Sequence, residues 1–208
     1  MYARSTTIRG NPGSLDDAIA YMREEVWPAV QDMDGCVGLS MVCDRETGRC
    51  IATSAWEDRQ AMQASAARVD PMRRHLMDRF GAGDDLEVQE WEIAVLHREH
   101  PAGDGACARI TWSRGDPGKA DQVLDMYRTS LMPRIQEMPG FCSLSMFVDR
   151  DTGHAVGTVV FDGRAHLEET REQARALREE GVRVMGVDVL DVAEMDLVLA
   201  HLRVPETV

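Results

Sequence analysis

Few side chains in this 208-residue chain carry types and spacings suited to catalysis. His75 is the best single candidate. It stands in Arg73-Arg74-His75, and a histidine near its ordinary pKa can act as a base or bind a metal. The alternative is a partly exposed histidine in an arginine-rich helical stretch. His97 and His201 occupy equivalent places in two copies of one pattern. No second His or Cys beside either gives ligand spacing, so a histidine at a strand end is the simpler account. Tryptophans fall at 27, 56, 91 and 112. The chain shows no Ser-His-Asp arrangement, phosphate loop or dinucleotide fingerprint. The five cysteines contain no C-x-x-C, so no zinc site is expected from spacing, and reduced, buried thiols are the expectation.

The bulk properties exclude several classes. The formal charge is −13, with Lys119 the only lysine. A nucleic-acid partner is not expected, because that requires clustered basic residues to displace counterions. No run reaches the roughly 18–20 apolar residues of a membrane span. The N-terminus lacks a basic-then-apolar leader pattern, so a cytoplasmic protein is expected.

The elements that must position these residues are written twice. Asp44-Arg45-Glu46-Thr47-Gly48 returns as Asp149-Arg150-Asp151-Thr152-Gly153, and the residue numbers differ by 105. The same register places Arg9-Gly10-Asn11-Pro12-Gly13 on Arg114-Gly115-Asp116-Pro117-Gly118, and Pro28 on Pro133. After one deletion the register is 104, and Glu90 meets Glu194. Residues 1–99 and 106–208 are therefore two repeats, joined by a linker at 100–105 of turn-forming composition.

Each repeat reads as strand, helix, strand, strand, helix, strand. Apolar residues at Leu15, Ala18, Ile19, Met22, Val26, Val30 and Met33 recur at helical steps. Pro28 and Pro133 predict a kink or early end of the first helix. Pro71 predicts a break in the second, over about Asp58–Arg79. In the second repeat that helix is expected over about Arg164–Glu180. The Asp-Arg-acid-Thr-Gly segments read as hairpin tips, with Asp44 and Asp149 accepting from turn amides and the glycine left-handed. The final strands are expected over Leu86–His97 and Leu190–Arg203.

Pro28 and Pro133 near a helix end, Pro139-Gly140-Phe141 before a strand, and Trp56-Glu57-Asp58 opening a helix together resemble the antibiotic biosynthesis monooxygenase-like family. The resemblance implies an α+β fold of two tandem ferredoxin-like βαββαβ repeats, forming a dimeric α+β barrel within one chain. It leaves room for a further homo-oligomer. It implies a small hydrophobic or aromatic ligand and oxygenation without a cofactor or metal, driven by the substrate's own reactivity. The family also includes haem-degrading enzymes, which use an asparagine on the first strand, a tryptophan in the second helix and a haem-ligating histidine beyond it. His75 falls at the histidine position. Ser65 falls at the tryptophan position, and Arg4, Ser5 and Thr6 stand where asparagine is needed, so haem degradation is disfavoured.

Within that frame His75 is the candidate catalytic base, and Trp112, Trp56 and Arg4 are candidate substrate-binding residues. Trp27, Trp56 and Trp91 are matched in the second repeat by Met132, Phe161 and Met195, which suits core packing. Trp112 is matched by Thr7, and that asymmetry suits either a pocket wall or a filler. The reading is a small-molecule monooxygenase acting on an aromatic or polyketide-like compound. A non-catalytic binding barrel is the alternative.

Overall fold

The computed structural model describes residues 1–83, 86–202 and 204–207. The strands are β1 (Tyr2–Arg9), β2 (Cys36–Cys43), β3 (Arg49–Trp56), β4 (Leu86–Arg98), β5 (Cys107–Arg114), β6 (Phe141–Val148), β7 (His154–Phe161) and β8 (Asp188–Leu202). They are hydrogen-bonded in the order β1-β3-β2-β8-β5-β7-β6-β4, a closed barrel. Each repeat carries the expected βαββαβ order, so the fold class is the α+β one the sequence implies. Arg203, the last residue of the expected final strand, lies outside the described residues.

The chain forms two compact units, Met1–Trp91 with Asp196–Val204 and Glu92–Met195 with Pro205–Val208. Repeat and unit thus differ by half a strand. Residues 86–91 of β4 belong to the first unit and 92–98 to the second, and β8 divides in the same way.

In the first unit β3 pairs antiparallel with both β1 and β2, and β2 pairs with the second half of β8, Met41 opposite Leu199. Helices α1 (Leu15–Tyr21), α2 (Trp27–Gln31), α3 (Arg59–Ala64) and α4 (Ala66–Phe80) bury Leu15, Val30, Met62 and Phe80 against this sheet, together with Trp56. In the second unit β7 pairs with β5 and β6, and β6 pairs with the second half of β4. Its helices are α5 (Ala120–Met126), α6 (Met132–Gln136), α7 (Arg164–Glu169) and α8 (Arg171–Met185), with Leu124, Leu144, Phe161 and Leu167 in the core.

Two expectations about prolines are corrected. The first helix does not end at Pro28 but runs through it to Gln31. Met22–Val26 and Tyr127–Leu131 wind as π-helical turns, and the N–H groups of Trp27 and Met132 bond Met22 O and Tyr127 O. The wide turn carries the helix on to each proline, which lacks the N–H to extend the ladder itself. The second helix breaks at Ser65 rather than at Pro71, which lies inside α4. In the second repeat the break falls at Thr170, and the helix runs on to Met185, past the expected end. Ser65 Oγ donates to Met62 O at 2.7 Å and Thr170 Oγ1 to Leu167 O at 3.1 Å. Such local side-chain bonds compete with helical winding.

The hairpin tips form as expected. Asp44 Oδ1 accepts from the Glu46 and Thr47 amides at 2.9 and 3.4 Å, and Thr47 Oγ1 donates to Asp44 Oδ2 at 2.6 Å. Asp149 repeats these bonds with Asp151 and Thr152. The Thr152 hydroxyl, ahead of the turn amides, holds the Asp149 carboxyl below its ordinary range. Gly48 and Gly153 have φ of +69° and +75°, the left-handed region that L side chains avoid. Cys43 and Cys50 face each other across β2–β3 as free thiols. No helix among the described residues is long and apolar enough to cross a membrane.

Candidate functional site

Both units carry the same polar constellation. Arg4 on β1 is 5% exposed. Its Nη2 bonds Glu90 Oε1 on β4 at 2.7 Å, and Nη1 bonds Ser65 Oγ at the helix break at 3.1 Å. In the second unit Arg109 on β5 is 4% exposed. It bonds Glu194 Oε1 on β8 at 3.0 Å, Thr170 Oγ1 at 3.2 Å, and Leu167 O. The hydroxyl that breaks the helix is thus the acceptor that holds the buried guanidinium. A buried charge persists only when paired and hydrogen-bonded, and strand, helix break and final strand all contribute here.

The units differ in what surrounds this pair. A cavity of about 120 Å³, partly open to solvent, lies between the β5–β7–β6 face and α8. The equivalent space in the first unit is about 50 Å³. The register explains the difference. Leu76, 4% exposed in the first unit, is matched by Gly181, and Ala52 by Gly157. Trp56 and Phe80 are matched by the smaller or more flexible Phe161 and Met185. Apolar groups dominate the lining, among them Leu131, Ile135, Met146, Val159 and Leu177.

Charge also differs. In the first unit Arg73 Nη1 bonds Asp70 at 2.5 Å and Nε bonds Thr6 Oγ1 at 3.2 Å. The matching residues are Arg178 and Arg175, so the acid three positions before Arg178 has become a base. Arg175 turns to Glu172 and Glu179 on the exposed side of α8. Arg178 lines the cavity, and burial first, then the nearby Arg109, lower its pKa. Ala66 of the first unit is replaced by Arg171, whose Nη2 bonds Glu194 Oε2 at 2.6 Å. Two guanidiniums, Arg109 and Arg171, therefore bond one carboxylate while Arg178 stands near it without bonding it, where the first unit balances Arg4 and Arg73 with Glu90 and Asp70. Burial raises the Glu194 pKa, but the bonds from Arg171 and Arg109 outweigh it and leave the carboxyl below its ordinary range. The cavity of a strongly acidic chain thus has a local positive excess.

Tyr127 adds a neutral polar group. It replaces Met22, is 5% exposed, and lines the same cavity. Burial alone pushes its pKa well up, so the phenol stays protonated and can donate a hydrogen bond.

The structure scatters the residues singled out in the sequence. His75 is exposed on α4, its Nε2 accepts from Arg79 Nε at 2.9 Å, and its ring rests 4.9 Å from that of Tyr21. Trp56 is fully buried, and its Nε1 donates to Ser54 Oγ at 3.0 Å. Trp112 stands on the face of β5 opposite the cavity, since Arg109, Thr111 and Ser113 take the alternate positions. Arg4 sits in the smaller space of the first unit. Tyr127, Arg178 and Gly181 were missed. The signal available was the pairwise comparison Met22/Tyr127, Asp70/Arg175 and Leu76/Gly181, each of which changes size or charge on an element facing the sheet.

A closed barrel of paired ferredoxin-like repeats with a helix-covered cavity defines a dimeric α+β barrel protein. Residues 1–70 match the sequence pattern of the family described as antibiotic biosynthesis monooxygenase. Two uncharacterized proteins of Mycobacterium tuberculosis H37Rv, Rv2557 and Rv2558, are 46% and 48% identical over 208 and 209 residues, spanning all of this chain and 92% and 88% of theirs. The chain belongs to the antibiotic biosynthesis monooxygenase family, as a tandem duplication.

Solved structures agree on the fold. A provisionally assigned monooxygenase from Lactobacillus acidophilus NCFM aligns with a TM-score of 0.71 at 11% identity, over 97% of this chain and 96% of that one. An anthrone oxidase-like protein aligns at 0.69 with 14% identity, over 97% and 93%. The haem-degrading enzyme LmHde of Listeria monocytogenes aligns at 0.55 with 9% identity, over 94% and 99%.

Proposed function

We propose that the protein is a cofactor-independent monooxygenase whose working site is the cavity of the second unit. Its substrate is a small aromatic or polyketide-like molecule with an acidic C–H or O–H. The observation that carries this reading is the conjunction of an apolar cavity with Arg178, which has lost its first-unit acid, and the protonated Tyr127. An apolar wall accepts the rings, and the cation and phenol favour the enolate or phenolate form of the bound oxygen. The cavity approaches the roughly 150 Å³ at which an apolar protein cavity admits one aromatic ring. Larger ring systems extend through its open side.

The chemistry balances with dioxygen as the only co-reactant. The substrate methylene loses a proton to solvent at the cavity's open side, and the resulting carbanion–enolate reduces O₂, with solvent returning a proton as water leaves. A C–O bond forms to give a hydroperoxide, whose O–O bond then breaks. The methylene carbon becomes a carbonyl and the second oxygen atom leaves as water. The protein's share is to favour the anion and to hold the rings against the apolar wall. His75 is not needed as the base in this scheme, because the positive excess lowers the substrate's own pKa enough for solvent to take the proton.

The test is oxygen uptake with anthrone and 1-naphthol as probes, followed by mass analysis after ¹⁸O₂ labelling. Uptake above the buffer rate, with one labelled oxygen in the product and at least about tenfold loss in Arg178→Met, supports the reading. Thermal stabilisation by the probes without oxygen uptake would instead favour a binding barrel.

A further inference from the structure

A second cluster lies in the second unit, away from that cavity. His100, Cys142 and Asp162 each offer one ligand atom, and the three atoms lie within 4.8 Å of one another. Cys142 Sγ is 3.3 Å from Asp162 Oδ1, and His100 Nε2 is 3.8 Å from the same oxygen. Tetrahedral zinc with bonds of about 2.0–2.3 Å holds such atoms roughly 3.3–3.5 Å apart, so shifts of side-chain torsions complete the geometry.

The backbone fixes all three segments. The register of β6 against β7 shifts between Phe141 and Ser143, which leaves Cys142 as the extra residue of a bulge. Bulges re-aim side chains. Cys142 O accepts from the amides of Glu99 and His100 at 2.8 and 3.3 Å, which ties the segment after β4 to the bulge. Asp162 N donates to Gly140 O at 2.8 Å, which ties the end of β7 to the same place. The first unit keeps the equivalent bulge between Cys36 and Gly38. It carries Val37 and Glu57 in place of Cys142 and Asp162. The scaffold is shared, and this donor set belongs to the second unit alone.

We propose that His100, Cys142 and Asp162 bind a borderline-soft divalent cation of the zinc class, with the fourth position open to solvent. The thiolate and imidazole select against magnesium and calcium, which take oxygen donors. Cys142 is fully buried, whereas the His100 and Asp162 side chains are 42% and 45% exposed, so the ion enters from their side. It displaces the thiol proton now directed at Asp162. Burial, then the bond to Asp162, hold that thiol at about 12 without metal, so binding releases one proton to solvent.

Cobalt(II) alone is the probe, added to the full chain after chelator treatment and reduction. A near-ultraviolet thiolate-to-cobalt charge-transfer band that saturates at one equivalent and disappears in Cys142→Ser is expected. His100→Gln alters only a half-exposed side chain and keeps the core, and it is expected to weaken cobalt binding by at least about tenfold. Absence of the band in the wild type overturns the site, as does a band that survives in Cys142→Ser. Unchanged cobalt affinity in His100→Gln overturns it also, and that variant decides the matter if Cys142→Ser does not fold.

Discussion

Replacing Gly181 by leucine restores the residue that the first repeat has at this place, Leu76. The substitution tests whether the cavity of the second unit is a functional space. A Cβ at Gly181 would meet Met185 Cε at 2.9 Å and Leu131 Cδ1 at 3.3 Å, both the far ends of flexible side chains. Removing a glycine from a helix interior contributes about 1 kcal/mol. Burying a leucine contributes about 1.5–3 kcal/mol, and displacing Met185 and Leu131 costs about 1–3 kcal/mol as overpacking. The balance is a variant about 1 kcal/mol more stable than the wild type, with Tm raised by about 2–4 °C. Its cavity approaches the 50 Å³ of the first unit, and it loses the thermal shift given by 1-naphthol or anthrone. Urea unfolding and thermal-shift titration read the two effects independently. Undiminished probe binding in a folded Gly181→Leu protein would refute the assignment of this cavity. Destabilisation beyond about 2 kcal/mol would refute the packing argument.

Further outcomes follow from the same structure. Glu194→Leu leaves the buried Arg109 without its carboxylate and is expected to destabilise the chain by about 3 kcal/mol in urea unfolding, as loss of one partner from a buried ion pair does. Because the folded Glu194 pKa is depressed, its contribution is present above the unfolded value of about 4.3 and is lost as pH falls through the folded value. The acid limb of the stability–pH profile should therefore flatten in Glu194→Gln. Gly153→Ala places a Cβ 2.2 Å from Gly115 O at a φ of +75°, and should cost at least about 1–2 kcal/mol, whereas Gly83→Ala, with open space around its Cα, should be near neutral. Cobalt affinity should rise about tenfold per pH unit between about pH 7 and 9, where one thiol proton is released per ion bound. A flat profile in isothermal titration would contradict thiolate ligation.

Duplication made the fold legible. Two copies in one register separate residues held constant by backbone geometry from those that vary, so Gly48/Gly153 and Asp44/Asp149 announced a turn before any coordinate was known. The periodicity of Leu15 to Met33 was equally plain, because a helix face repeats every 3.6 residues. Proline chemistry was read too locally. Pro28 forbids one hydrogen bond, and a π-helical turn before it pairs the Trp27 N–H with Met22 O, a wider turn that no propensity argument announces. The helix break was assigned to Pro71 for the same reason, whereas the bond from Ser65 Oγ to Met62 O, with Arg4 bonded to that hydroxyl, places it at Ser65.

The candidate site was legible only in part. Arg4 and the Glu90/Glu194 identity were visible, but their pairing joins positions 86 residues apart, and nothing local connects them. His75 and Trp112 attracted attention because their side chains are chemically distinctive, yet their faces are set by packing. The chain by itself determined the duplication, the βαββαβ order, the hairpin tips and the class of fold, since these follow from short-range periodicity and turn chemistry. Only the tertiary structure decided which asymmetries between the copies matter. A cavity is the space left by side chains distant in sequence, so the exchange of Leu76 for Gly181 and of Asp70 for Arg175 acquired meaning once both were seen beside Arg109 and Tyr127.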